Sequence, residues 1–299
     1  MKAKFAILAI LVIVLSSCEE EFFIDNSGSQ VVINCFFSPD DTLRLHLSKT
    51  YNVFSKDTIQ NIYGADISLY SSETLLGQLM PDIPDLYDKR AGYYYYPSLS
   101  LQSGTKCKIK YKDKKGNIAE ASDILPFAVP IKSIDTSTSF DENKWKMLKI
   151  KLVFDDPDSL KNYYAVAINY RSNRGAGFYH PYFNFECSSS IIEADLVGKI
   201  VCGQVVFSDK HFNGKEINIE LVTRDYYANA DSVVFEVMLL SISESYYKYA
   251  TSFYKQVLAN KDFYSEPASV YSNVKGGYGI FAGYSKSVKK ISIVNKYWP

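Results

Sequence analysis

The chain has 299 residues, enough for one large or two modest domains. Its 33 Lys+Arg balance 33 Asp+Glu, which removes the overall basic field expected of a nucleic-acid binder, and 47% hydrophobic against 22% charged residues excludes a disordered chain. Aromatic residues reach 15%, with 25 Tyr and 18 Phe, a composition that suits pleated sheets better than helix bundles.

The N-terminus is the most informative segment. Lys2 and Lys4 precede an unbroken apolar run, Phe5 to Leu15. That run is well short of the ~20 residues that span a bilayer but fits the apolar region of a secretory signal. Leu15-Ser16-Ser17-Cys18 follows at once, and small residues before a cysteine in this place resemble a bacterial lipobox. On this reading residues 1–17 are a signal peptide, and Cys18 carries diacylglycerol and palmitate-type acyl chains. The alternative is an ordinary signal peptide that happens to contain a cysteine. Acylation would hold the chain to the membrane, since each buried methylene contributes ~0.8 kcal/mol. Residues 18–27 are then a lipidated tether. They open with Glu19-Glu20-Glu21, a carboxylate cluster similar to the surface-export signal of Bacteroidota lipoproteins, with a solvated acidic tether as the other reading.

Beyond the tether, short strands alternate with turns. Val31 to Phe37 reads as a strand closed by Ser38-Pro39-Asp40-Asp41. In Thr42 to Leu47, Leu43, Leu45 and Leu47 face one way and Arg44 and His46 the other, the period of a half-buried strand. Gly64 to Tyr70 and Gly92 to Leu101 follow, the latter carrying Tyr93, Tyr94, Tyr95 and Tyr96. Thr105 to Lys112 is the cleanest strand, with Cys107, Ile109 and Tyr111 inward and Lys106, Lys108, Lys110 and Lys112 outward. Ile118 to Ile124 returns it. These signals predict an immunoglobulin-like β-sandwich over 28–127. Pro126 and Pro130 bracket the boundary.

Residues 128–299 are expected to form a larger β-rich domain with one packed helix, so the fold class is mainly β. The stretch Ser133 to Asn143 reads as polar. Strand signals lie at 145–154, 163–171, 178–187, 199–207, 215–223, 232–240 and near Lys290 to Val294. The helix is expected near 243–260, with Ser241-Ile242-Ser243-Glu244 as a capping box and Tyr247, Ala250, Tyr254, Val257 and Leu258 on one face. Gly276 to Tyr284 reads as a glycine-rich strand end where backbones pack closely, since a phosphate loop would need a following helix.

Several ordered motifs carry a family resemblance. They are Val31-Val32-Ile33, Leu47-Ser48-Lys49-Thr50 and Gly64-Ala65-Asp66-Ile67 in the first half. In the second half they are Phe154-Asp155-Asp156-Pro157 with Asn162-Tyr163-Tyr164, Phe207-Ser208-Asp209 with Phe212-Asn213-Gly214-Lys215, and Glu266-Pro267 with Ser272 to Tyr284. Together they resemble the Bacteroidota lipoprotein family called domain of unknown function 4249. Tyr278 departs from the smaller aliphatic residue expected there. The resemblance implies a secreted, outer-membrane-associated lipoprotein whose gene neighbours are often TonB-dependent transporters. It implies no reaction.

The residues themselves supply no catalytic signature. There is no G-x-S-x-G elbow, H-E-x-x-H or C-x-x-C spacing, and His46, His180 and His211 fall in separate segments. No catalytic residue, metal site or cofactor is expected. The turn Asp155-Asp156-Pro157-Asp158 lacks the spacing of a calcium loop and reads as an Asx-type turn. Four cysteines follow Cys18 and allow three pairings, of which Cys35–Cys107 and Cys187–Cys202 are favoured. Tyr93 to Tyr96 is the candidate ligand surface, two rings to each face, for a sugar, a peptide or a neighbouring protein.

The expected role is therefore a non-enzymatic accessory or binding lipoprotein of the outer membrane, facing the cell exterior. Its partners would be the membrane, through the acylated N-terminus, and a TonB-dependent transporter, with no nucleic acid. The alternative is a surface hydrolase or lyase acting on peptide or glycan, for which Asp66, Asp155, Asp209 or Asp225 would have to pair in space.

Overall fold

The structure, a computed structural model, describes residues 29–39, 41–51, 60–82, 92–97, 99–158, 161–172, 179–180, 185–187, 203–224, 232–261, 265–266 and 268–294. Cys18 and Glu19 to Glu21 lie outside the described residues, as do Cys202 and Asp225.

Among the described residues the fold is mainly β, a sandwich followed by a larger β-rich part that carries one helix. The first half holds β1 (Val31–Phe37), β2 (Leu43–Lys49), β3 (Gln60–Asn61), β4 (Asp66–Ser71), β5 (Thr74–Gln78), β6 (Met80–Pro81), β7 (Tyr93–Tyr96), β8 (Lys106–Lys112) and β9 (Ile118–Ile124). The second holds β10 (Ile131–Phe140), β11 (Lys146–Asp155), β12 (Tyr163–Ser172), β13 (Tyr179–His180), β14 (Glu186–Cys187), β15 (Gln204–Ser208), β16 (Glu216–Arg224), β17 (Ser232–Ile242), α1 (Glu244–Ala259) and β18 (Tyr278–Val294).

One sheet runs through both halves. It has ten strands, in the order β13-β12-β17-β18-β1-β2-β7-β6, with β15 also on β12 and β3 also on β2. Each half adds its own four-stranded sheet across a core: β5-β4-β8-β9 in the first, β10-β11-β16-β14 in the second. The first core takes Leu43, Leu45, Leu47, Cys107, Ile109 and Tyr111 from alternating positions, as the period-two pattern requires. It also takes Val274 and Phe281 from near the C-terminal end of the chain.

β18 joins the halves. Its 17 residues span about 55 Å at a strand's rise. Residues 278–283 pair parallel with β1, and 284–294 pair antiparallel with β17. The glycine-rich segment and the strand expected near Lys290 are thus one element. Its odd positions face both sandwich cores: Phe281 enters the first, while Ile291 and Ile293 pack on the second. Its even positions, Ile280 and Ala282, face α1 on the opposite side of the sheet, beside Tyr246 and Ala250.

The glycines make this pairing possible. Gly279 has φ +107, and a Cβ there would sit 2.0 Å from the Ile33 carbonyl oxygen. At Gly276 (φ +77) it would sit 2.4 Å from the Ile118 carbonyl oxygen of β9. Parallel contact with β1 therefore needs bare backbone at Gly279, and the approach to β9 needs it at Gly276.

The helix N-cap falls two residues later than the expected capping box places it. Ser241 lies in β17, and its Oγ accepts from the Val129 N–H at 3.1 Å. Ser243 is the N-cap, accepting from the Tyr246 N–H at 3.1 Å. The polar stretch 133–143 largely forms β10, an edge strand paired with β11. An edge strand with most side chains in solvent needs ladder hydrogen bonds but little apolar alternation, so the hydrophobic pattern does not reveal it.

The segment between the prolines is stitched to the shared sheet. Besides the Ser241 bond, Ser285 Oγ donates to the Pro126 carbonyl at 2.7 Å, and the Ile131 N–H donates to Ser287 Oγ at 3.0 Å. Asp123 at the end of β9 is the chief clamp. Its carboxylate accepts from the Gly283 N–H at 2.9 Å and Ser245 Oγ at 3.3 Å, and from the Ser243 hydroxyl that caps α1. One half-buried carboxylate thus ties the first sandwich to β18 and to the helix N-terminus.

Two outcomes follow. Gly279→Ala is expected to lower the unfolding free energy in urea by about 3 kcal/mol, from backbone strain and the Ile33 clash. A loss below about 1 kcal/mol would contradict the close parallel contact. The second concerns pH. Burial, opposed by the serine and N–H hydrogen bonds, holds the Asp123 carboxyl above its ordinary value. The folded chain therefore binds this proton more tightly than the unfolded chain, and the stabilisation is present below about pH 4 and fades as pH rises through the raised value. Relative to Asp123→Asn, the wild type should accordingly lose stability as pH rises from about 4 toward neutrality, through the raised value. A gap that is flat or widens in the wild type's favour over that range would contradict the assignment.

Candidate functional site

The outward face of the shared sheet in the first half is open. It is built from residues between the core positions. β1 points Ile33, Cys35 and Phe37 inward, which leaves Asn34 and Phe36 outward. β2 does the same with Arg44 and His46, and β7 with Tyr93 and Tyr95. The register sets them in rows. Phe36 lies opposite Arg44, Arg44 opposite Tyr95 and Tyr95 opposite Met80. Asn34 lies opposite His46 and His46 opposite Tyr93.

The helix forms a wall along this shelf. The Phe36 ring packs 4.6 Å from Tyr246 and 5.8 Å from Tyr249, and Tyr249 stacks on Phe253 at 6.1 Å. On the floor, the His46 ring lies 4.8 Å from Tyr93, and its Nε2 meets Asn61 Oδ1 at 3.0 Å. Arg44 Nη1 stands 3.7 Å from Asp82 Oδ2, an ion pair outside hydrogen-bond range. Phe36 remains 38% exposed and Met80 44%. Rings, a guanidinium and amides on one rigid surface can stack on a planar or sugar-like group and hydrogen-bond its edges.

The four tyrosines divide two to each face, as alternation requires. Tyr94 is buried; its hydroxyl donates to the Ile62 carbonyl at 3.1 Å and accepts from the Ala65 N–H at 3.2 Å. Tyr96 packs against the core and donates to the Leu76 carbonyl at 3.2 Å. Only Tyr93 and Tyr95 belong to the shelf. Sequence reasoning missed Phe36, Arg44, Met80 and the helix wall. A signal for Phe36 existed: a large apolar ring at an outward position of an alternating strand.

The second-half family motifs at 154–164 and 207–215 meet at a different place, a corner of the second sandwich. Asp156 accepts from the Tyr164 hydroxyl, from the Gly214 N–H at 2.8 Å and from Asn162 Nδ2 at 3.3 Å. Asp209 accepts from the Asn162 N–H at 2.5 Å. Phe154, Tyr164, Phe207 and Phe212 pack beneath. Burial raises the Asp156 carboxyl above its ordinary value, and the nearby Asp209 adds to this. These carboxylates close turns. Asp209 meets Asp156 rather than Asp155, and Asp155 instead lies 3.2 Å from Lys132 Nζ, while Asp66 is exposed on β4. Among the described residues, no group of three or more His, Cys, Asp or Glu is placed to hold a metal ion.

Cys35 and Cys107 share the first core as thiols, so the expected bridge between them is absent from the structure. They come from opposite sheets, and the core packs them as small apolar groups. Burial, then the neighbouring Cys107, pushes the Cys35 thiol far up; burial, then Asp123, pushes Cys107 up to about 12. Cys187 is buried, and its suggested partner Cys202 lies outside the described residues.

The model of one protein family matches residues 19–290. The chain belongs to that family, domain of unknown function (DUF4249). No curated protein matches it. Among solved structures, bovine butyrophilin aligns at 10% identity and TM-score 0.22, covering 71% of this chain and 92% of that one. The collagen binding domain of the Erysipelothrix rhusiopathiae surface protein RspB aligns at 8% and 0.20, covering 87% and 96%. The collagen adhesin of S. aureus aligns at 5% and 0.19, covering 88% and 93%. At such scores these likenesses carry no argument about fold or ligand.

The thiols give a direct test. Cys35 and Cys107 should resist iodoacetamide in the native chain and react once it is unfolded without reductant, read by peptide mass spectrometry. A disulfide between them, or fast labelling of the native chain, would contradict their placement.

Proposed function

We propose that this protein is a lipid-anchored outer-membrane lipoprotein, facing the cell exterior, that acts as a non-enzymatic accessory or binding protein. The anchoring half of the proposal rests on the sequence: an apolar run of signal-peptide length, small residues and then Cys18. The binding half rests on the shelf of Phe36, Arg44, Tyr93 and Tyr95 walled by α1. Exposed aromatic and arginine side chains on a rigid sheet are what protein and glycan partners use as anchors. A TonB-dependent transporter is the partner that the family resemblance suggests. Of the carboxylates considered for hydrolysis, Asp209 is held by the Asn162 N–H, Asp155 pairs with Lys132 and Asp66 stands apart on β4, so that alternative is supported less well.

Photo-crosslinking in intact cells tests the proposal. A benzoylphenylalanine at Tyr95 should capture an outer-membrane transporter, and Arg44→Ala together with Phe36→Ala should lower the yield by about tenfold, the loss of one hot spot. An uncrosslinked monomer, or a yield unmoved by those substitutions, would count against it.

A further inference from the structure

The end of the first sandwich where the chain enters has its own composition. Ser29 and Gln30 lie there, fixed by Gln30 N–H to Thr50 Oγ1 at 2.9 Å and Thr50 N–H to the Gln30 carbonyl at 2.8 Å. Around this point Tyr51 is 51% exposed, Tyr63 63% and Ile118 50%. Exposed Lys49, Lys114 and Lys115 stand among them. Lys49, Tyr63, Lys114, Lys115 and Ile118 all line one open recess of about 700 Å³.

Four lysines here, Lys49, Lys112, Lys114 and Lys115, outnumber the two acids beside them, Asp66 and Asp113, and leave this face positive. Asp113 is used by its own turn, accepting from the Lys115 and Asn117 N–H groups at 2.8 Å each and from Asn117 Nδ2 at 2.7 Å. Asp66 is exposed but stands opposite Lys112 in the β4–β8 register. Tyrosines and lysines at one end of a rigid body suit a bilayer interface: rings sit at the headgroup level, and ammonium groups meet lipid phosphates. A charge-only partner would have no use for Tyr51, Tyr63 and Ile118.

We propose that this end is a membrane-contact face, with Tyr51, Tyr63 and Ile118 in the headgroup layer and Lys49, Lys114 and Lys115 on anionic phosphates. The proposal rests on anchoring through Cys18. From Cys18 to Ser29 is eleven residues, so the chain allows at most about 40 Å between anchor and face. Each lysine near an anionic surface adds to the attraction, and the tether keeps all three close to it, so together they hold the body against the surface. Because β18 runs away from this end, the body then stands upright, and the shelf faces sideways above the membrane.

Depth quenching tests it. The full acylated chain, with Trp145 and Trp298 replaced by Phe, carries either Tyr63→Trp or Phe140→Trp and is reconstituted in vesicles of phosphatidylcholine and phosphatidylglycerol with brominated chains. The Tyr63→Trp reporter should be quenched at least about twofold more than the Phe140→Trp reporter at the tip of the β10–β11 hairpin. Lys49→Glu with Lys114→Glu and Lys115→Glu should abolish that difference. Equal quenching at the two positions, or a difference unmoved by charge reversal, overturns the proposal. So does a Tyr63→Trp reporter blind to bromine because the lysines bind Glu19 to Glu21 instead. Intact mass reports acylation separately. If the chain carries no acyl group, an N-terminal hexahistidine on nickel-chelating lipid supplies the anchor and the same comparison is read. Failure of the anchor and failure of the face are thus told apart.

Discussion

Hydrogen bonding along β18 is the constraint on which the rest depends. A strand of 17 residues satisfies a parallel neighbour over its first third and an antiparallel one over the remainder. The first sandwich therefore borrows a strand from the far end of the sequence, and neither half can close its sheet alone. The Asp123 clamp and the bond from Ser285 to the Pro126 carbonyl add to this, because each joins backbone of one half to a side chain of the other. The junction is thereby stiff, and the orientation of each end is fixed by the other.

That stiffness gives the surfaces their meaning. α1 lies on the back of the shared sheet because the even positions of β18 and β17 and the odd positions of β12 are apolar there: Ile280, Ala282, Leu240, Ile242 and Ala165. The same placement brings Tyr246 and Tyr249 beside Phe36 and turns an open sheet face into a walled shelf. The corner at Asp156 has a different task. Its donors and acceptors are consumed within the corner, and it joins the β11–β12 turn to the β15–β16 turn.

The legible parts of the fold are those in which side-chain burial dictates period. β8 alternates Lys106, Cys107, Lys108 and Ile109, and it lies as that pattern demands, because one face meets the core and the other water. The helix period between Tyr247 and Leu258 is likewise genuine, although two serines compete for the cap and Ser243 holds it. β10 escaped because its backbone pairs at an edge while its side chains stay in solvent. β18 was broken into pieces because glycines usually end strands, whereas here they admit a neighbouring backbone. Of the candidate site, Tyr93 and Tyr95 were visible as outward rings. Phe36, Arg44 and the helix wall come together only through register and long-range packing, which local sequence does not carry. The core cysteines show the same limit, since composition permits a disulfide where the two facing sheets instead pack thiols.

The most direct measurement of the shared-sheet account is native hydrogen exchange resolved by peptide mass spectrometry. Amides of β1, β8, β12 and β17 should share one opening free energy under conditions that allow global unfolding, because removing β18 from either half opens both. Exchange of β1 and β8 through a separate, much cheaper opening, with β12 and β17 still protected, would show two independent bodies and contradict the account.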